Sequence, residues 1–233
     1  MVAPYDMASA YPNVRRKLES WNGYKEVARV IAQCPDLQVF LAGGAVRSCF
    51  IEEPLPIRDF DFFLTGSSIQ RALDILGQAG VVKSTPYGSP RWHPVDEPER
   101  HADLIPIADF KPGLWRCENI IDVLNQFDYT ASALAFDLRT GTSFDPQNGL
   151  RDLLRGTMRM VRFDFPEGPF MPDSVLTRNA ILWFRVLHYA AALNLVIEPI
   201  TLHWLRSHQH YRHQASTFRS VFFNLDDHYL DPL

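Results

Sequence analysis

Two short stretches, LAGGAVR at 41–47 and RDFDFFLTG at 58–66, decide how this chain is read. The first closes an apolar run, LQVFLA at 37–42, that has the look of a buried strand, and Gly43-Gly44 breaks it. A short helix can start at Ala45. The second stretch alternates as a strand does, so Asp59 and Asp61 share one face while Phe60 and Phe62 take the other. Two neighbouring carboxylates on a half-buried sheet repel each other and need compensation. Divalent cations held by oxygen supply it. A pair of such ions can activate an attacking hydroxyl and stabilise a leaving pyrophosphate. Glycine at 43 and 44 lets the backbone come close to a ligand, and the free amides of a helix starting there suit a phosphate. Arg47, in the first turn, and Arg58, beside the carboxylates, are the candidate triphosphate contacts.

Outward from this pair, periodicity predicts a helix over 13–33, with Leu18, Trp21, Tyr24, Val27 and Ile31 at helical spacing. A proline-bearing loop is expected at 53–57 and a strand at 58–64. A helix follows at 67–79, capped by Ser67 or Ser68. A strand is expected at 80–84, a Pro- and Gly-rich loop at 85–99, and a strand at 101–107. Residues 117–126 read as a short helix and 128–138 as a strand or strand-turn segment. From about 173 to 194, and again from 198 to 213, the chain reads as helical. Strands among helices, then helices only, predict an α+β fold: a small mixed sheet flanked by helices, followed by a C-terminal helical region. The expected division is an N-terminal helix (1–36), a catalytic head (37–162) and a helical, neck-like region (163–233).

The 233 residues suffice for one catalytic domain with a helical appendage. No apolar run reaches membrane-span length, and no signal pattern opens the chain, so no membrane partner and a cytoplasmic location are expected. Cys34, Cys49 and Cys117 are too widely spaced for a zinc ribbon and read as buried thiols. The net charge of −4 excludes a nonspecific nucleic-acid binder built on overall positive charge. Any contact with nucleic acid must rest on a local patch.

Four motifs in order, LAGGAVR (41–47), RDFDFFLTG (58–66), FDYTASALAFD (127–137) and DPQNGLRDL (145–153), closely resemble the head domain of class II CCA-adding enzymes and bacterial poly(A) polymerases, within the polymerase-beta-like nucleotidyltransferase superfamily. The resemblance covers about residues 37–162. It implies magnesium dependence, with a two-metal site, and transfer of a nucleoside monophosphate from an NTP. Carried over position by position, Gly43, Gly44 and Arg47 match the triphosphate-binding turn, and Asp59 and Asp61 the metal carboxylates. Asp128 matches the acidic residue near the nucleotide sugar. Asp145, Pro146, Gly149, Asp152 and Leu153 match a turn whose role reads as structural first. Arg159 falls where the family keeps an arginine. Asp103, on the strand expected after the carboxylate pair, stands where superfamily members often place a third carboxylate, as general base or metal ligand.

The chain also departs from the family. Ser48 replaces an Asp, Gln126-Phe127-Asp128 replaces Arg-Arg-Asp, and Ser132 replaces an Asn. The Glu-Asp-x-x-Arg motif that templates the base is incomplete in both available registers: Pro172-Asp173 leaves Leu176 in place of Arg, and Arg178-Asn179 leaves Leu182. A shorter, divergent member of the superfamily, of the kind found in phages and mobile elements, fits these departures better than a tRNA CCA-adding enzyme. The acceptor hydroxyl can belong to an RNA 3′ end. The alternatives are a protein-modifying transferase of the toxin–antitoxin type, which the acidic balance favours, and an inactive nucleotide-binding module, which intact Asp59 and Asp61 argue against. In the C-terminal segment, His203, His208, His210 and His213 among Arg206, Arg212 and Arg219 read first as a polar helix face, with a weak nucleic-acid patch as the functional alternative.

Overall fold

A computed structural model of the chain describes residues 6–51, 57–85, 88–110, 114–170, 174–226 and 228. Two helices come first, α1 (Tyr11–Glu19) and α2 (Tyr24–Gln33). The sequence predicts one helix here. The break comes at Trp21, whose amide donates to the Leu18 carbonyl while its own carbonyl accepts from Tyr24. That turn swings the indole onto Phe60, with ring centroids 4.4 Å apart and nearly parallel planes. Burying a large aromatic outweighs the four residues of continued helix that are lost.

The chain then runs through β1 (Gln38–Ala42), α3 (Gly44–Arg47), β2 (Asp59–Thr65), α4 (Ile69–Gly77), β3 (Gly80–Ser84), β4 (Pro90–Pro94), β5 (His101–Pro106) and α5 (Ile120–Leu124). Next come β6 (Ala135–Asp137), β7 (Ser143–Phe144), α6 (Gly149–Leu154), β8 (Thr157–Met158), α7 (Arg178–Ala192), β9 (Val196–Ile197), α8 (Pro199–Ser207) and α9 (Ala215–Val221). Among the described residues, seven strands form one sheet in the order β3-β4-β5-β2-β1-β6-β7. β2 and β5 are parallel and the other neighbours antiparallel, so the sheet is mixed and the fold α+β.

Several boundaries differ from expectation. The Pro- and Gly-rich stretch at 85–99 contains β4. Its prolines sit at the two strand ends and Trp92, fully buried, at its centre. Ser67 and Ser68 do not cap α4 through their side chains; both hydroxyls donate to the Asp36 carboxylate. The helix expected over 117–126 is confined to α5, which Asn119 and Asp122 open as a reciprocal capping box. Residues 130–132 form a single tight helical turn before β6. α7 starts at Arg178, capped by the Thr177 hydroxyl accepting from the Ala180 amide at 3.1 Å. Of the proposed base-templating registers, Pro172-Asp173 lies outside the described residues.

The alternation of β2 divides the molecule. Phe60, Phe62 and Leu64 face a core built with Val14, Leu18, Trp21, Val27, Val30, Ala72 and Leu76 from α1, α2, α4 and the turn between the first two. Phe63 faces the other way, with Phe40, Ala42, Ile120 and Val123. A further core surrounds α7, where Trp183 donates to the Leu205 carbonyl at 2.9 Å.

Candidate active site

The register of the sheet carries the chemistry. Ala42 pairs with Asp61, Asp61 with Asp103, Asp103 with Arg91, and Arg91 with Lys83. Paired residues in a sheet point to the same face, so Lys83, Arg91, Asp103 and Asp61 form one row across four strands. Asp59 lies two residues before Asp61 on the same face and is exposed; Arg58 is exposed beside it.

Gly43 ends β1 directly over this row, with φ +74° and ψ −141°, a conformation that glycine tolerates and other residues resist. A Cβ at Gly43 would stand 2.8 Å from Asp61 Oδ2 and 4.0 Å from the Phe127 ring. The Gly43 turn thus lies directly against a carboxylate on one side and an aromatic ring on the other. The Arg47 amide donates to the Gly43 carbonyl at 3.0 Å, closing the first turn of α3.

Burial drives the Asp61 carboxyl up to about 8, and the negative charges of Asp59 and Asp103 add to the shift, while Arg185 and Arg91 pull against it. Asp103 is held in a two-pronged ion pair: Arg91 Nε donates to Oδ1 at 2.6 Å and Nη2 to Oδ2 at 2.9 Å. Among the described residues no group of three His, Cys, Asp or Glu side chains stands assembled for a metal ion. Asp59 and Asp61 nevertheless fit a divalent cation. They are oxygen donors on one strand face, Asp59 exposed and Asp61 partly so, and the Asp61 carboxyl is raised by burial and by its negative neighbours Asp59 and Asp103, which a cation would offset.

Two residues expected to touch the nucleotide are turned to other partners. Arg47 is buried; its guanidinium donates to the Tyr129 hydroxyl at 2.7 Å and the Ser132 hydroxyl at 2.5 Å. Asp128, also buried, is gripped by two arginines of α7, Arg178 and Arg185, each at 2.5 Å. Burial pushes the Asp128 carboxyl up, but Arg178 and Arg185 outweigh it and hold it below its ordinary value. Arg47 and Arg185 both lie over the ring of Tyr189, at 5.2 and 5.5 Å, so the glycine turn and α7 belong to one connected network. Arg185, Tyr129, Tyr189 and Arg91 were not singled out from sequence. Arg178 and Arg185 stand seven residues apart on one helix face, which is the signal that could have found them.

The 145–153 motif is structural here. Asp145 accepts from the amides of Gly149 and Leu150 and so caps α6. Asp152 accepts from Thr130 and Arg159, both at 2.8 Å, and Arg159 also donates to the Gln147 carbonyl. Gly149 packs so tightly on the Thr130 carbonyl that a Cβ there would collide with it. In the remaining base-templating register, Asn179 donates to the Phe165 carbonyl and to Glu167, and Leu182 is fully buried. In the C-terminal segment, His208 stacks on Trp204 with centroids 4.5 Å apart.

Comparison with known proteins finds relatives in sequence and in fold. The chain is 31% identical over 167 residues to a multifunctional CCA protein of Xanthomonas euvesicatoria pv. vesicatoria, covering 67% of this chain and 39% of the relative. It is 29% identical over 143 residues to that of Haemophilus ducreyi, covering 57% of this chain and 32% of the relative. The chain therefore spans well under half the length of these relatives. A tRNA nucleotidyltransferase solved with a primer tRNA and an incoming ATP analog shares the fold with TM-score 0.58 at 20% identity, over 80% of this chain and 50% of that one. A CCA-adding enzyme in an apo form gives TM-score 0.59 at 16% identity, over 83% and 42%. No protein-family model matches the chain. By this similarity the chain is distantly related to the polymerase-beta-like nucleotidyltransferases. Within that class the chain is a distant homologue of the head-domain region of class II CCA-adding enzymes.

Proposed function

We propose that this protein is a magnesium-dependent nucleotidyltransferase that moves a nucleoside monophosphate from an NTP to an acceptor hydroxyl, and that the acceptor is an RNA 3′ end. The observation that carries this reading is the Gly43 turn set directly against the Asp61 carboxylate. A triphosphate laid there meets the backbone of the turn while its α-phosphorus comes close to Asp59 and Asp61.

The acceptor oxygen attacks the α-phosphorus, the bond to the bridging oxygen of the β-phosphate breaks, and pyrophosphate leaves. Asp59 and Asp61 would hold the divalent cations, which would supply activation of the hydroxyl and neutralisation of the leaving group. The chain's own residues do the rest. Gly43, with no side chain, lets the phosphates approach its backbone, and exposed Arg58 offers a cation at the rim of the site. Arg47 braces the turn against Tyr129 and Ser132 instead of reaching outward. Asn179 and Leu182 face inward partners, which supports loose selection among bases, because strong discrimination needs fixed donors and acceptors at the base edge.

Incubation of the purified protein with each labelled NTP, magnesium and total RNA tests the reading. Label in RNA is the expected result. Label in protein would make the acceptor a polypeptide, and no label with any acceptor would leave a nucleotide-binding module. A strict order of CTP then ATP would contradict loose base choice.

A further inference from the structure

Beside the Asp61 carboxylate, Phe127 lies against the Gly43 turn, its Cε2 4.0 Å from where a Cβ on Gly43 would stand. Its ring is partly exposed and leans on Phe63 and Phe110, with centroids 5.9 and 6.3 Å away. Both sequence neighbours are tied down. Gln126 is fully buried, its amide donating to the Trp115 carbonyl and the Cys117 sulfur and accepting from the Trp115 amide. Asp128 is clamped by Arg178 and Arg185. The backbone at 127 is thus held from both sides, and the ring is presented at a set position beside the carboxylate.

An aromatic face has no hydrogen bond to give a phosphate. What the partly exposed ring offers a ligand beside this turn is a flat apolar surface, and the flat apolar part of a nucleotide is its base. We infer that Phe127 is the stacking platform for the base of the incoming NTP, a positioning residue that holds the nucleotide while its phosphates lie at Gly43. This rests on the nucleotidyltransferase reading above. Every base has a π-face, so such a platform holds all four, with purines modestly ahead of pyrimidines. It supplies grip without reading the base edge.

Calorimetry with ATP, CTP and inorganic tripolyphosphate, each with magnesium, tests this on the wild type and on Phe127→Ala, Phe127→Leu and Phe127→Trp. Far-UV circular dichroism checks that each variant is folded. Phe127→Ala and Phe127→Leu should weaken ATP binding roughly tenfold, the order of one lost base–aromatic stack, and leave tripolyphosphate binding unchanged. Phe127→Trp should retain or tighten ATP binding. The inference is overturned if Phe127→Leu binds ATP as the wild type does, or if tripolyphosphate affinity falls in step with ATP. Should Phe127→Ala not fold, Phe127→Leu, which keeps the apolar packing and removes only the ring, decides the matter. A wild type that binds tripolyphosphate but gains nothing from the base also overturns it. A wild type that binds neither nucleotide overturns the nucleotidyltransferase reading itself.

Discussion

The Asp61 carboxylate occupies the approach that a side chain on Gly43 would need, its Oδ2 2.8 Å from where a Cβ would stand. Gly43→Ala therefore meets two penalties, a left-handed backbone conformation and a contact with the carboxylate. It should lose roughly 1–3 kcal/mol of stability in chemical denaturation and most of its NTP affinity. Gly44→Ala is the internal control. A Cβ there meets only Arg47 Nη2 at 3.5 Å, an ordinary contact within a helix, and stability should hold. Equal losses in both variants would show that the turn, and not the Gly43–Asp61 contact, sets the sensitivity.

Asp61 makes the metal-free protein pH-sensitive in a definite direction. Its folded value is raised to about 8, against about 3.9 for an unperturbed Asp. Between these values the folded chain keeps a proton that the unfolded chain has lost, so stability falls as pH rises from about 4 to about 8. Asp61→Asn should flatten that slope. Magnesium needs the ionised carboxylate, so its stabilisation of the wild type should be larger at pH 9 than at pH 6 and absent in Asp61→Asn and Asp59→Ala. Both variants should be inactive in transfer. Thermal melts across pH, with and without magnesium, decide this, and full activity in Asp61→Ala would refute the assignment.

Asp128→Ala leaves Arg178 and Arg185 without their shared anion. The expected loss is about 3 kcal/mol, at the lower end for a buried pair because Arg185 keeps some solvent contact. The depressed carboxyl contributes stability above about pH 4 and loses it as pH falls through its lower folded value. Wild type and Asp128→Asn should therefore converge in strongly acidic solution. A difference that persists unchanged to pH 2 would mean the contribution is packing and not charge.

Arg91→Ala releases Asp103 next to Asp61. Metal-free stability should drop by roughly 1–2 kcal/mol, since a partly buried carboxylate loses two charged hydrogen bonds. Magnesium affinity should rise, roughly three- to tenfold, because one unit of positive charge leaves the neighbourhood of the carboxylates. Titration by calorimetry measures it, and weaker magnesium binding would show that Arg91 orders the site instead of competing with the cation.

The carboxylate strand and its glycine turn could be read from sequence because each rests on a local rule: period-two alternation places Asp59 and Asp61 together, and paired glycines end a strand. β4 escaped because Pro90 and Pro94 read as loop, although they lie only at the strand's ends. The split between α1 and α2 escaped because Trp21 suits a helical stripe as well as a turn, and only Phe60 decides between them. Asp128 stood out in sequence, but its partners are 50 and 57 residues away, and no local pattern pairs them. The same holds for Arg91 and Asp103, whose pairing depends on the order of strands in the sheet.

Trp21 stacks on Phe60, and Phe60 separates Asp59 from Asp61 on a single strand. The indole and the carboxylates are thus the two sides of one three-residue segment. If α1 and α2 detach, the underside of that segment is left open to water and its alignment with β5 is no longer enforced. Amide hydrogen exchange should then report the release of α1 and α2 and the deprotection of β2 as one cooperative opening, and bound magnesium should slow exchange in helices that contribute no ligand to it.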